Sequence, residues 1–156
     1  RRGTARVAGP MSAVVIDANL AVALAIALPY SERAVTLMAD WARERVCVYA
    51  PLLWEYEVVS ALRKAVALGL LPVDEAPYTL ERLWALGVQP VPPGPDLHRQ
   101  ALAWAERLGQ TVAYDAQYLA LAEGLGAVLW TADRRLSRRA AGLGISWVRY
   151  IEDAEG

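Results

Sequence analysis

The sequence predicts a three-layer α/β domain, with helices covering both faces of a mostly parallel central sheet of about five strands. Three features of the chain predict it. Short apolar runs recur at Ala13 to Ile16, Val46 to Ala50, Val88 to Val91, Ala127 to Thr131 and Ser146 to Val148. Between them lie longer stretches whose apolar residues return every three or four positions, so strand and helix alternate as in linked βαβ units. Repeats and low-complexity linkers are absent, and 156 residues suit a single hydrophobic core.

Taken in order, Ala13 to Ile16 is uniformly apolar and mostly β-branched, the pattern of a strand buried on both faces of a parallel sheet, and it ends in Asp17. Asn19 then opens a helix. Tyr30 to Arg45 follows as an amphipathic helix with Ala34, Leu37, Met38 and Trp41 on one face and Ser31 as N-cap. Val46 to Ala50 is the second buried strand. Pro51 starts a helix reaching about Leu68 and stopped by Gly69, since proline suits a first turn and glycine a helix end. Pro72 and Asp74 begin the next helix, which ends near Gly87. Val88 to Val91 contains Pro90, which removes a ladder donor and places this strand at or near a sheet edge. Asp96 to Leu108 is helical and ended by Gly109, and Tyr114 to Leu125 is helical again. Ala127 to Thr131 is the fourth strand, finishing just before Asp133, and Ser146 to Val148 is the fifth.

Composition narrows the function. The chain has 16 Lys and Arg against 17 Asp and Glu, so no overall field draws it to nucleic acid and any such contact rests on a local patch. The one dense basic patch is Arg134, Arg135, Arg138 and Arg139, a solvated helix face or a phosphate-binding surface. A single cysteine and a single histidine exclude an internal disulfide and a zinc site of Cys and His. Any metal is therefore held by oxygen and is a hard cation such as Mg²⁺ or Mn²⁺. Arg1, Arg2 and Arg6 ahead of Ala13 to Pro29 imitate a signal peptide, but Asp17 and Asn19 interrupt the apolar stretch. Its longest unbroken run, Leu20 to Leu28, is too short to span a bilayer. The expectation is a cytoplasmic protein without membrane contact, residues 1–10 being a tag or upstream extension, Met11 a plausible start, and residues 11–156 one domain.

Open parallel sheets bind ligands just beyond the carboxyl ends of their strands, where strand order reverses. Asp17 and Asp133 fall at such ends, Asp115 begins the helix after the Gln110–Thr111 loop, and Glu57 lies about one turn into the helix after the second strand. Four acids from distant parts of the chain are thus placed to converge on one cleft. Asp115 and Asp133 also suit helix N-termini, and Glu57 also suits an exposed helix face. Asp17, flanked by Ile16 and Ala18, is poorly solvated and costly without a partner.

The segments VVIDANLAVAL, APLLWEYEVVSALRKA and TVAYDAQYLALAEGLGAVLWTADRRL resemble successive motifs of the PIN-domain ribonucleases, in particular the VapC toxins of toxin–antitoxin pairs. The resemblance spans about Met11 to Val148, and its third motif is the most specific. It implies a PIN-like fold and places the family's four acids on Asp17, Glu57, Asp115 and Asp133. Glu57 is selected over Glu55 because EVVSAL matches the family's pattern, with Ser60 where many relatives carry Asn. The implied activity is metal-dependent cleavage of RNA phosphodiester bonds. Asp17, Glu57 and Asp115 would hold Mg²⁺ or Mn²⁺, Asp133 would act from an outer shell, and Thr131 would orient a carboxylate or water. Arg134, Arg135, Arg138 and Arg139 would hold RNA phosphates. Asn19 has a weaker claim to an orienting role and suits a helix N-cap equally. The implied partners are a cognate antitoxin and a second copy of the chain, with the helices from Asn19 to Met38 and Leu53 to Leu68 supplying apolar surface. A catalytically silent PIN-like RNA-binding or scaffold module is the alternative. A phosphatase of the haloacid-dehalogenase type and a phosphoacceptor receiver fit less well, because Asn19 stands where the second acid is needed and no lysine is suitably placed. His98 reads as a surface helix residue, and Cys47, Trp41, Trp84, Trp104 and Trp147 read as packing residues. Trp54 and Tyr56, beside Glu57, have the better claim to line a groove.

Overall fold

A computed structural model describes residues 12–153. The expected extension at residues 1–10 and the proposed start at Met11 lie outside the described residues. Five strands form one sheet in the order β3-β2-β1-β4-β5, every pairing parallel. They are β1 (Ala13–Ile16), β2 (Cys47–Pro51), β3 (Gln89–Val91), β4 (Val128–Thr131) and β5 (Val148–Tyr150). The helices are α1 (Ala18–Val22), α2 (Ser31–Glu44), α3 (Leu53–Ala67), α4 (Ala76–Trp84), α5 (Pro95–Leu108), α6 (Tyr114–Leu125) and α7 (Arg134–Gly142). From β1 the chain steps through β2 to β3, then crosses back to β4 and β5. Right-handed crossovers consequently place α1 to α4 on one face and α5 to α7 on the other. The three-layer class predicted from the alternation is the observed one.

The central strand β1 is buried from Val14 to Ile16, as its uniformly apolar sequence requires. Helix α6 packs on β1, β2 and β4 and on α5. Its residues Ala116 and Tyr118 to Ala122 are all buried. A helix that is apolar nearly all round belongs inside a domain, and alanines let it approach the sheet closely. Helices α5 and α6 end on Gly109 and Gly126 at φ 63° and 61°, the left-handed cap that glycine adopts without steric cost. Helix α2 ends the same way on Arg45 at φ 57°, the one described non-glycine residue with positive φ.

Several local expectations are corrected. Asp17, not Asn19, caps the first helix, because its Oδ1 accepts from Leu20 N at 2.9 Å, and Asn19 lies exposed inside α1. Ser31 is the first residue of α2 rather than its cap. Its Oγ accepts from Leu28 N at 2.8 Å and donates to Ile26 O at 3.0 Å, closing the preceding loop. Pro51 ends β2 instead of starting α3, and Asp74 precedes α4 without capping it. The last strand lies later than the run Ser146 to Val148 suggests. Its middle residue, Arg149, is exposed while Val148 and Tyr150 point inward, so the edge strand alternates and escapes a search for continuous apolar runs. Trp54 is a core residue at 1% exposure, tilted against Trp84 with ring centroids 5.2 Å apart, and does not line a groove. Tyr56 is 69% exposed. Among the described residues no helix is long and apolar enough to cross a membrane.

Candidate functional site

Strand order reverses between β1 and β4, so the crevice beyond their carboxyl ends is where a parallel sheet of this topology offers a binding site. Asp17 follows β1 directly, and its backbone N–H donates to Trp130 O on β4. Besides capping α1, its carboxylate is held from β4, with Oδ2 accepting from Thr131 Oγ1 at 2.7 Å and from Ala132 N at 3.0 Å. Thr131 is fully buried, and its hydroxyl also accepts from Asp133 N at 2.9 Å. One threonine thus couples two acids that the sequence had placed at neighbouring strand ends. Asp133 caps α7, its Oδ1 accepting from Arg135 N and Leu136 N at 2.9 and 3.2 Å.

Glu57 and Asp115 approach from the helices. Glu57, early in α3, accepts a 2.6 Å hydrogen bond on Oε1 from the Tyr118 hydroxyl of α6. Asp115, in the first turn of α6, accepts on Oδ2 from Gln110 Nε2 at 2.8 Å, while Gln110 Oε1 is buried with no partner. Tyr118 and Gln110 escaped the sequence reading. A signal existed for Tyr118: it lies one turn after Asp115, and a phenol inside an apolar helix needs a hydrogen-bond partner.

Electrostatics link the two groups. Burial pushes the Asp17 carboxyl above the usual range, opposed by its bonds from Thr131, Leu20 and Ala132 and reinforced by the charge of Asp133. Burial likewise raises Glu57, the Tyr118 hydrogen bond opposes this, and the charges of Asp115 and Asp17 add to it. Tyr30 is pushed up to about 12, by burial first and then by Asp17. The four acids have no basic partner among the described residues, whose ion pairs lie elsewhere. Glu57 Oε2, Asp115 Oδ1 and Asp133 Oδ2 carry no hydrogen bond there. An uncompensated, half-buried set of carboxylate oxygens has the chemistry of a hard divalent-cation site. Among the described residues no three Asp, Glu, His or Cys are already gathered as an ion cage. The acids stand as an Asp17–Asp133 group and a Glu57–Asp115 group that feel each other's charge.

The basic patch divides. Arg139 donates to Leu108 O at 2.6 Å and so closes the carboxyl end of α5. Arg134 pairs with Glu152 at 3.4 Å and lies over the Tyr150 ring. Arg135 and Arg138 are exposed on α7, beside Asp133. His98 is exposed and hydrogen-bonded to Gln117, as expected of a surface residue.

Comparison with known proteins agrees with this architecture. The family model described as "PIN domain" matches residues 14–142. Ribonuclease VapC3 of Pyrobaculum aerophilum is 38% identical over 130 residues, 81% of this chain and 93% of the relative. Ribonuclease VapC12 of Mycobacterium tuberculosis is 36% identical over 125 residues, 80% of this chain and 90% of that one. The crystal structure of PAE2754 from Pyrobaculum aerophilum superposes with a TM-score of 0.64 at 25% identity, covering 91% of this chain and 85% of that chain. The FitAB structure bound to an IR36 DNA fragment shares the fold with a TM-score of 0.59 at 20% identity, covering 92% and 98%.

Proposed function

Because this chain belongs to the PIN domain family, we propose that it is a metal-dependent endoribonuclease, the toxin of a VapBC-type pair, and that Asp17, Glu57, Asp115 and Asp133 form its site. The observation that carries the reading is the uncompensated charge at the strand switch point, where burial first and nearby acids second raise Asp17 and Glu57, and no arginine or lysine among the described residues pairs with them. Asp17, Glu57 and Asp115 would hold Mg²⁺ or Mn²⁺, with Asp133 acting through its free oxygen at longer range. When bound, such an ion supplies the Lewis acid for phosphodiester hydrolysis.

The chain's own residues supply the rest. Thr131 fixes the rotamer of Asp17 and the backbone of Asp133 together. Gln110 holds one oxygen of Asp115 and leaves the other free. Arg135 and Arg138 are the phosphate contacts this reading retains, giving affinity without sequence preference. Arg134 and Arg139, tied into the fold, are secondary. The proposed partners are RNA, a cognate antitoxin and a second copy of the chain, in the cytoplasm. Of the two helical stretches expected to offer apolar surface, the first, Asn19 to Met38, has its α1 part consumed by the core and leaves Val35 exposed on α2. An apolar groove between α3 and α4, lined by Val59, Leu62, Val66, Val73, Pro77 and Leu80, supports a role for the second.

The test is cleavage of end-labelled RNA by purified protein in EDTA, then with Mg²⁺ or Mn²⁺ restored, beside Asp17→Asn. The reading predicts cleavage only with metal and only with Asp17. RNA binding without cleavage under any metal would favour the silent module.

A further inference from the structure

Each acid of the site is held by a donor, but the donors differ. Asp17 has a threonine hydroxyl and two backbone N–H groups, Asp133 has two backbone N–H groups, and Asp115 has the Gln110 amide. Glu57 lies within α3, where the backbone N–H groups are committed to the helix, and it carries the longest side chain of the four. Its one hydrogen bond is the 2.6 Å contact from Tyr118, a residue 61 positions later on another helix. Tyr118 is 3% exposed, so its hydroxyl is the single polar atom of a side chain otherwise packed in the core. Resting on the reading of these acids as cation ligands, we infer that Tyr118 is a positioning residue, whose hydroxyl fixes the Glu57 rotamer through Oε1 and presents Oε2 as the free cation-binding oxygen. A hydroxyl donating to a carboxylate makes a short, strong and directional bond. Orienting partners behind a metal ligand characteristically control affinity. A phenol of ordinary pKa, about 10, keeps its proton at neutral pH, so the hydroxyl is available as a donor.

Tyr118→Phe removes the hydroxyl and keeps the ring. Mn²⁺ is titrated calorimetrically into the full chain as wild type, Tyr118→Phe, Glu57→Gln and the double variant, with melting curves recorded for each. The inference predicts about tenfold weaker Mn²⁺ binding in Tyr118→Phe, a cleavage loss larger at limiting than at saturating Mn²⁺, and less than about a twofold further effect in the Glu57→Gln background. Unchanged affinity in Tyr118→Phe overturns it, and so does an undiminished tenfold effect in the Glu57→Gln background, because the hydroxyl would then act through packing alone. Should Tyr118→Phe not fold, Tyr118→Met removes the hydroxyl with an adaptable apolar side chain and is judged by the same outcomes. Wild-type protein that neither binds Mn²⁺ nor cleaves RNA sinks the cation-site reading itself. Wild-type binding with an indifferent Tyr118→Phe sinks only the positioning role.

Discussion

Replacing Thr131 with valine removes the one hydroxyl that joins Asp17 to Asp133 while leaving the buried volume nearly unchanged. Two hydrogen bonds disappear: a donation to the Asp17 carboxylate at 2.7 Å and an acceptance from Asp133 N at 2.9 Å. A hydrogen bond to a charged group contributes about 1.5–3 kcal/mol and a neutral one about 0.5–1.5 kcal/mol. Both surround a fully buried side chain, so neither is replaced by water. The expected loss is about 3 kcal/mol, which for a domain of this size lowers Tm by about 6–12 °C. Thr131→Ser keeps both bonds and loses one buried methyl group, costing about 1 kcal/mol. Thermal melts followed by circular dichroism at pH 8 give the comparison. A hydrogen-bond role makes valine the worse substitution, whereas a pure packing role makes serine the worse. A valine variant melting within about 2 °C of wild type, or above the serine variant, would refute the reasoning.

Glu57→Gln is expected to abolish RNA cleavage and Glu55→Gln to leave most of it; equal losses in a cleavage assay would mean the wrong face of α3 has been assigned. Glu57→Gln should also melt at or above wild type at pH 8, since Tyr118 can still donate to the amide oxygen and the repulsion from Asp115 and Asp17 is relieved. The sign follows from linkage: a carboxyl raised in the fold binds more protons there than in the unfolded chain. The metal-free protein therefore loses stability from Asp17 and Glu57 as pH climbs from their ordinary values of 3.8 and 4.5 through the raised ones. Arg135→Ala with Arg138→Ala should weaken RNA binding and flatten its salt dependence without changing Tm. Arg139→Ala should cost about 1 kcal/mol of stability, because Leu108 O loses its donor; fluorescence anisotropy at several salt concentrations, together with melts, separates the two effects.

Legibility in the sequence followed the physics of each element. Strands β1 and β4 were readable because burial on both faces demands unbroken apolar residues. Helix α6 was readable to its ends because Gly126 stops it. Helix α1 was misplaced at its start since it is short and apolar all round, leaving no periodicity to count, and β5 was displaced by the outward-facing Arg149. The acids were visible as residue types at strand ends. Of their supporting donors Thr131 was anticipated through the family resemblance, whereas Tyr118 and Gln110 were not picked out, because the bond from Tyr118 to Glu57 exists only once α3 and α6 are packed and that from Gln110 to Asp115 only once the loop after α5 is formed. For the same reason the four arginines looked alike as a cluster, although Arg139 is used to cap α5 and Arg134 to meet Glu152 and Tyr150.

The central claim is that acids standing in two groups act as one divalent-cation site. Calorimetric titration of Mn²⁺ into the wild-type protein at pH 8 and at pH 5.5, without RNA, tests it most directly. Binding requires deprotonated carboxylates, and burial raises those of Asp17 and Glu57, with the charge of Asp133 adding to the first and those of Asp115 and Asp17 to the second. Affinity should therefore fall on acidification more than carboxyls of ordinary pKa, about 3.9–4.3, would allow. Saturable binding at pH 8 that weakens sharply at pH 5.5 is the predicted result. Equal affinity at the two pH values, or no binding at pH 8 in millimolar Mn²⁺, would contradict the account.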